Sequence, residues 1–260
     1  MSAQLPPLDS LTDPAKLTQC LSTLFEPSTA LKEILVPQLV KKYKADGTPL
    51  SYAGVIHDCA EASKEWTWEQ KSDFVTGHPL IGAPATGLSG KEQGTETTKV
   101  VLDRLQHIAI ASVLKQLNSL YSQAFPDLTF ITFVNGRPRS EIVNEMERKI
   151  GLPESPKPLP DSFDCGSTTI DPKLVRKKGS PEWEEECDRD VNDVWRIARS
   201  RLRTLGVEFP GYKPPDIPPR APSALHVWQR GPGAGAPSWS HNEMSTSGTD
   251  HAHDRIPGWV

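Results

Sequence analysis

Cysteine is scarce and scattered: Cys20, Cys59, Cys165 and Cys187 are the only four in 260 residues. No two of them form a C-x-x-C pair, so neither a zinc site nor a disulfide framework is indicated, and a reducing compartment fits best. Long apolar runs are missing too, and nothing approaches the ~20 residues that a bilayer-spanning helix needs. An excess of positive charge is also lacking. A net charge of −4 and a pI near 6.0 leave no basic field for nucleic acid or an anionic membrane. The opening Met-Ser-Ala-Gln-Leu-Pro-Pro has neither the charged nor the apolar region of a signal peptide. The closing Gly-Trp-Val is not a peroxisomal address of the Ser-Lys-Leu type. The expected location is the cytoplasm, or a peroxisome entered without a recognisable C-terminal signal.

What remains after these exclusions is helical periodicity. Asp13-Pro14 reads as a helix start, with Leu17, Leu21, Leu24 and Phe25 on one face and Pro27 as the stop. Leu31, Ile34, Leu35, Leu39 and Val40 trace a second helix, bent near Pro37 and closed at Asp46-Gly47. Tyr52, Val55, Ile56, Cys59 and Ala60 give a third, and Glu69 to Val75 adds a turn or two before Gly77. The longest periodic stretch is 89–124, the expected centre of a bundle. Leu128 to Val134 is rich in β-branched and aromatic residues but has no partner strand. It is expected to be an extended segment packed into the bundle, with backbone N–H groups left to bind something. Ser140 opens a helix running to Ile150. A last helix from Ser180-Pro181 sets Trp183, Cys187, Val191, Val194, Trp195, Ala198 and Leu202 on one face, with arginines 196, 199, 201 and 203 elsewhere.

The expected fold is therefore all-α, a single helical bundle spanning 8–209 with an inserted Pro-rich loop at 151–180. Beyond Pro210 the composition turns to Pro, Gly and Ser without period, so 210–260 is expected to be disordered or loosely docked. His251-x-His253 in this tail lacks a third ligand, and no metal site is assigned.

The densest chemistry lies in 77–94, Gly-His-Pro-Leu-Ile-Gly-Ala-Pro-Ala-Thr-Gly-Leu-Ser-Gly-Lys-Glu-Gln-Gly. His78 is held before Pro79, which biases it away from helix. Ser89-x-x-Glu92 fits two readings. It has the pattern of a capping box at a helix start, and it also puts a carboxylate within reach of an imidazole for acid–base chemistry.

The whole word His-Pro-x-x-Gly, then Ser89, Glu92 and Gln93, resembles the 2-oxo-4-hydroxy-4-carboxy-5-ureidoimidazoline (OHCU) decarboxylases, which complete the conversion of urate to (S)-allantoin. Leu24-Phe25-Glu26 with Ser28, Leu117-Asn118-x-x-Tyr121, and the aromatic-plus-Ile run before an arginine follow in family order, so the resemblance runs from about Leu8 to Leu205 with the insertion excepted. It implies an all-α bundle, usually a homodimer, that works without metal or organic cofactor on a small-molecule substrate. It makes His78 and Glu92 the catalytic pair. It makes Pro79, Ser89, Gln93 and the backbone of Phe130 and Ile131 substrate-binding neighbours. Many members carry an arginine at the position of Asn135; here Arg137, two residues on, is expected to take over that anion contact. Three other readings stay open: a non-catalytic interaction protein on the same fold, a lyase or hydrolase acting on a related ring in the same pocket, and a hydrolase with a Cys or Ser nucleophile, for which no Cys has a motif context and Ser89 lies in no nucleophile elbow.

Overall fold

The computed structural model describes residues 4–83, 104–160, 166 and 168–207. The chain divides into two units, Met1–Tyr212 and Lys213–Val260. The latter lies outside the described residues, as do Ser89, Glu92, Gln93, Cys165 and the tail histidines. The described residues are all-α, with helices and no strand.

After a short turn at Leu8–Thr12, helix α1 (Pro14–Leu24) starts where Asp13 accepts from the N–H groups of Ala15 at 2.8 Å and Lys16 at 3.0 Å. This satisfies two of the donors that a helix start otherwise leaves open. The next helix begins as a π-turn, Ala30–Leu35, and tightens into α2, Val36–Asp46. Pro37 explains the change of pitch. A proline has no N–H to give and its ring crowds the carbonyl four residues back, and a wider turn relieves both. The Val36 N–H reaches back to Leu31 O, five residues away. Gly47, at φ +85°, ends α2 in a conformation that a side chain would strain.

Ser51 caps α3 (Tyr52–Ala62) by accepting from Gly54 N–H. Thr67 and Gln70 form a reciprocal capping box at the start of α4 (Trp68–Thr76). The long helix of the second half is described from Arg104 to Ala124 and is α5. Helix α6 (Arg139–Ile150) ends at Gly151, φ +94°, where the Leu152 N–H returns to Glu147 O at 2.8 Å. Helix α7 is Pro181–Thr204, opened by Ser180.

The centre of the bundle differs from the sequence expectation. Helix α5 packs in a second cluster with α6, the extended segment and Trp183, whereas α1 to α4 bury their faces in a first cluster. The helix shared by both is α7: Trp183 and Cys187 lie in the second cluster, and Val191, Val194, Trp195, Ala198 and Leu202 in the first. At 1.5 Å rise per residue its 24 residues reach about 36 Å, long enough to back both halves.

The segment 128–134 is extended without being a strand, as the missing partner required. Its backbone is tied to α7: Ile131 N–H donates to Asp190 Oδ1 at 3.0 Å, and Arg189 donates to Ile131 O at 2.6 Å. Asp190 is fully buried, and burial pushes its carboxyl up against the opposing pull of Arg189. Tyr121 donates toward both Glu186 and Asp190 at 3.0 Å, and Lys149 pairs with Glu186 at 2.8 Å. Buried charge of this kind persists where each group finds a partner, because a lone buried charge costs several kcal/mol. The insertion lies along α5, where Gln123 accepts from Ile170 N–H and donates to Thr168 O. No helix of the described residues is long and apolar enough to cross a membrane.

Candidate active site

Helix α4 delivers His78. Its last residue is followed by Gly77, where an added Cβ would stand 3.0 Å from Pro27 O and 3.1 Å from Ser28 Cβ. Glycine there lets the chain run close beside the 26–28 turn. Asp73 fixes the same junction from the other side, accepting from Ala30 N–H at 2.5 Å. The His78 N–H closes the helix end on Val75 O at 3.0 Å, and Pro79 prevents another turn.

The imidazole is buried, 6% exposed, and sits edge-on to Phe74 with ring centroids 6.1 Å apart. Neither ring nitrogen has a hydrogen-bond partner. Such a group costs about 1–3 kcal/mol if it stays unsatisfied, which is tolerable where a polar ligand will complete it. Burial first, and the positive charge of Arg201 second, push its pKa down from 6.5 to about 4, against weaker upward pulls from Glu26 and the carbonyls of Phe74 and Val75. The ring is therefore neutral near pH 7 and has a lone pair to offer a proton.

Arg201 and Glu26 are the neighbours that the sequence reading missed. Arg201 was expected off the apolar face of the last helix, yet it is 3% exposed. One guanidinium nitrogen donates to Leu24 O at 3.0 Å and the other to Glu26 Oε1 at 2.9 Å. The fixed planar fork of arginine suits this double duty. The signal that could have found the pair was present in part, since Glu26 closes the Leu24-Phe25-Glu26 word, but its partner lies 175 residues on.

The other expected site residues fall as follows. Pro79 is half-buried beside His78. Phe130 and Ile131 are buried, and the N–H and C=O of Ile131 are both engaged by α7, so that amide is not open as expected. Asn135 is exposed in a left-handed turn at φ +49°. Arg137 braces that turn: it donates to Val134 O, Thr132 Oγ1 and Phe133 O and pairs with Glu145 at 2.6 Å. Among the charges acting on His78, Arg201 is the largest. Ser89, Glu92 and Gln93 lie outside the described residues, so their distance from His78 is not part of this geometry. The thiols of Cys20 and Cys187 are buried, which pushes each up to about 12 and leaves no thiolate for nucleophilic chemistry at neutral pH.

The depressed pKa carries a stability consequence. Between pH 6.5 and 4 the unfolded chain binds a proton at His78 that the folded chain refuses, so stability falls as pH drops through this window and is retained above it. The full contribution is about 3 kcal/mol at 1.36 kcal/mol per pKa unit. In urea unfolding at pH 7.0 and 4.5, wild type should lose about 2–3 kcal/mol more than His78→Asn does; equal losses in the two proteins would show that the ring is not held neutral.

Residues 10–156 match the family model described as OHCU decarboxylase. No curated protein and no solved structure matched the chain. The matched segment runs from the turn before α1 to just past α6 and includes His78 and Glu26, but it stops short of α7 and therefore of Arg201.

Proposed function

This chain belongs to the OHCU decarboxylase family, and we propose that it converts 2-oxo-4-hydroxy-4-carboxy-5-ureidoimidazoline to (S)-allantoin without a cofactor. Its class is carboxy-lyase and its setting is urate breakdown; the particular substrate, the handedness of the product and the roles of individual residues are the proposal. The observation that carries it is His78: a buried, neutral imidazole with both nitrogens unpartnered, beside an Arg201–Glu26 ion pair.

The chemistry follows from the substrate. The carbon that loses CO2 also bears a hydroxyl and adjoins an imine. When the carbon–carbon bond breaks, its electron pair forms a double bond to the imine carbon, and the imine nitrogen takes up a proton. The resulting enol then releases its hydroxyl proton and becomes a carbonyl, while the former imine carbon accepts a proton on one face. His78 is the group that takes the hydroxyl proton. Its low basicity in the empty site is raised when a substrate carboxylate settles against Arg201 and offsets that positive charge. Glu92 is assigned to orient the ring or relay the proton to carbon, and Ser89, Gln93 and Pro79 are assigned to substrate binding. Positioned acid–base groups of this kind give ~10²–10⁴-fold each, and shielding from water helps a step in which carboxylate charge disperses.

Arg201 fits the anion contact better than Arg137, because its charge already acts on His78. A homodimer is the expected assembly. The test is to add purified protein to freshly generated OHCU and follow circular dichroism as allantoin forms. Accelerated appearance of one hand supports the proposal. Racemic allantoin at the spontaneous rate would overturn it in favour of an interaction protein on the same fold.

A further inference from the structure

The loop after His78 is seated on α5 by two contacts that have no part in the chemistry proposed above. Asn118 is buried, 6% exposed, and its amide nitrogen donates to Ile81 O at 2.9 Å and to Leu114 O, one turn back on its own helix, at 2.8 Å. Ile81 is three residues beyond His78. One residue further, Gly82 sits at φ +78°, where an added Cβ would stand 2.9 Å from Leu114 Cδ1 and 3.2 Å from Leu114 Cβ. The Ala83 N–H closes the turn on Leu80 O at 3.1 Å.

We infer that Asn118 is a positioning residue for His78: by holding the Ile81 carbonyl against α5, it fixes the His78–Pro79 loop and with it the plane and depth of the imidazole.

His78 needs such a device because few contacts among the described residues orient its ring. Neither ring nitrogen has a well-formed hydrogen bond, so rotation about the side chain is limited by the edge contact with Phe74, by the nearby carbonyls of Phe74 and Val75, and by where the backbone sets it. Upstream the backbone is tied through Gly77 and the end of α4; downstream Pro79 has no N–H, and the next described tether to α5 is Ile81 O on Asn118. The cost of an untethered loop is large in catalysis, since misplacing a reacting group by about 1 Å can lose ~10²-fold in rate. Asn suits the position, because its two amide hydrogens serve two carbonyls at once. A leucine of similar volume would fill the space and serve neither. The helix that holds the loop is also locked to α7 through Tyr121, one turn along, which donates toward Glu186 and Asp190, so α5 is a firm base for the tether.

This inference deepens the proposed function, yet it has a readout of its own. Asn118→Leu and Gly82→Ala loosen the same loop from opposite sides, and each leaves the side chains of His78, Glu26 and Arg201 as they are in sequence. In each variant the His78 imidazole is followed by NMR titration, alongside kcat and KM for the decarboxylation. The expected result is a kcat lower by about 10²-fold with KM within threefold, shifted His78 ring resonances, and a titration midpoint that rises from about 4 as water reaches the ring. Far-UV circular dichroism should stay as in wild type. The inference is overturned if a folded Asn118→Leu keeps kcat within twofold and leaves the His78 resonances where they were. It is equally overturned if Gly82→Ala does so. If wild type proves inactive on OHCU, the functional reading fails, while the resonances and midpoint still decide whether Asn118 sets His78.

Discussion

Replacing His78 by asparagine is expected to slow formation of chiral allantoin by ~10²–10⁴-fold, the usual contribution of a positioned acid–base group, without weakening the fold near neutral pH. Asparagine keeps a polar planar group of smaller size in the same place, and no hydrogen bond is lost, because neither ring nitrogen makes one. What disappears is a lone pair able to take a proton near neutral pH. The two measurements separate cleanly. Circular dichroism of the product reports the rate, and urea unfolding at pH 7 reports stability, which should change by about 1 kcal/mol or less, as for a substitution that breaks no partnered contact. A variant that retains the wild-type rate would remove His78 from the reaction and with it the base proposed here.

The second large effect belongs to Arg201→Met. The guanidinium is 4% exposed and its partner Glu26 24%; removing one member of this pair breaks a charge-assisted bond and is expected to cost about 1.5–3 kcal/mol. The Leu24 carbonyl also loses its donor. A melting temperature several degrees lower is expected, and catalysis should fall as well, because the substrate carboxylate loses its counter-charge. His78 should move in a defined direction: with the positive neighbour gone and Glu26 still acting on it, its pKa rises from about 4. The double variant Arg201→Met with Glu26→Gln provides the check. It should recover part of the stability, since the Glu26 charge goes together with its arginine partner, but none of the activity. Recovery of activity together with stability would mean that the pair is a structural fastening and that the anion is held elsewhere.

The element that resisted reading from sequence was the last helix. Its apolar positions from Trp183 to Leu202 were plain from their spacing. Its arginines were assigned to the outside on the same grounds, since a charged side chain at a helix surface is the ordinary case. Arg201 departs from that rule because the helix runs beside the Leu24–Glu26 corner, which presents one carbonyl and one carboxylate to it. No periodicity can register a corner supplied by another helix. Arg137 shows the opposite arrangement. An arginine two residues from a family position looks like a ligand contact, yet in the folded chain Glu145, Thr132 and two carbonyls already hold it. The extended segment was anticipated as non-strand for want of a partner, but its Ile131 amide is closed by Asp190, a residue whose burial the acidic look of that helix did not suggest.

By itself the sequence determined the helices, their caps and breaks, and the loop that carries His78. These depend on neighbours within a turn or two: Asp13 before Pro14, Ser51 before Gly54, the Thr67–Gln70 box, and a histidine pinned between Gly77 and Pro79. Tertiary structure alone decided that the imidazole is buried and neutral, that Arg201 and Glu26 stand beside it, and that α7 rather than α5 joins the two clusters of the core. Those outcomes depend on groups brought together across as many as 177 residues. A buried charge takes its meaning from the partners and the water around it, and only the packed chain supplies either.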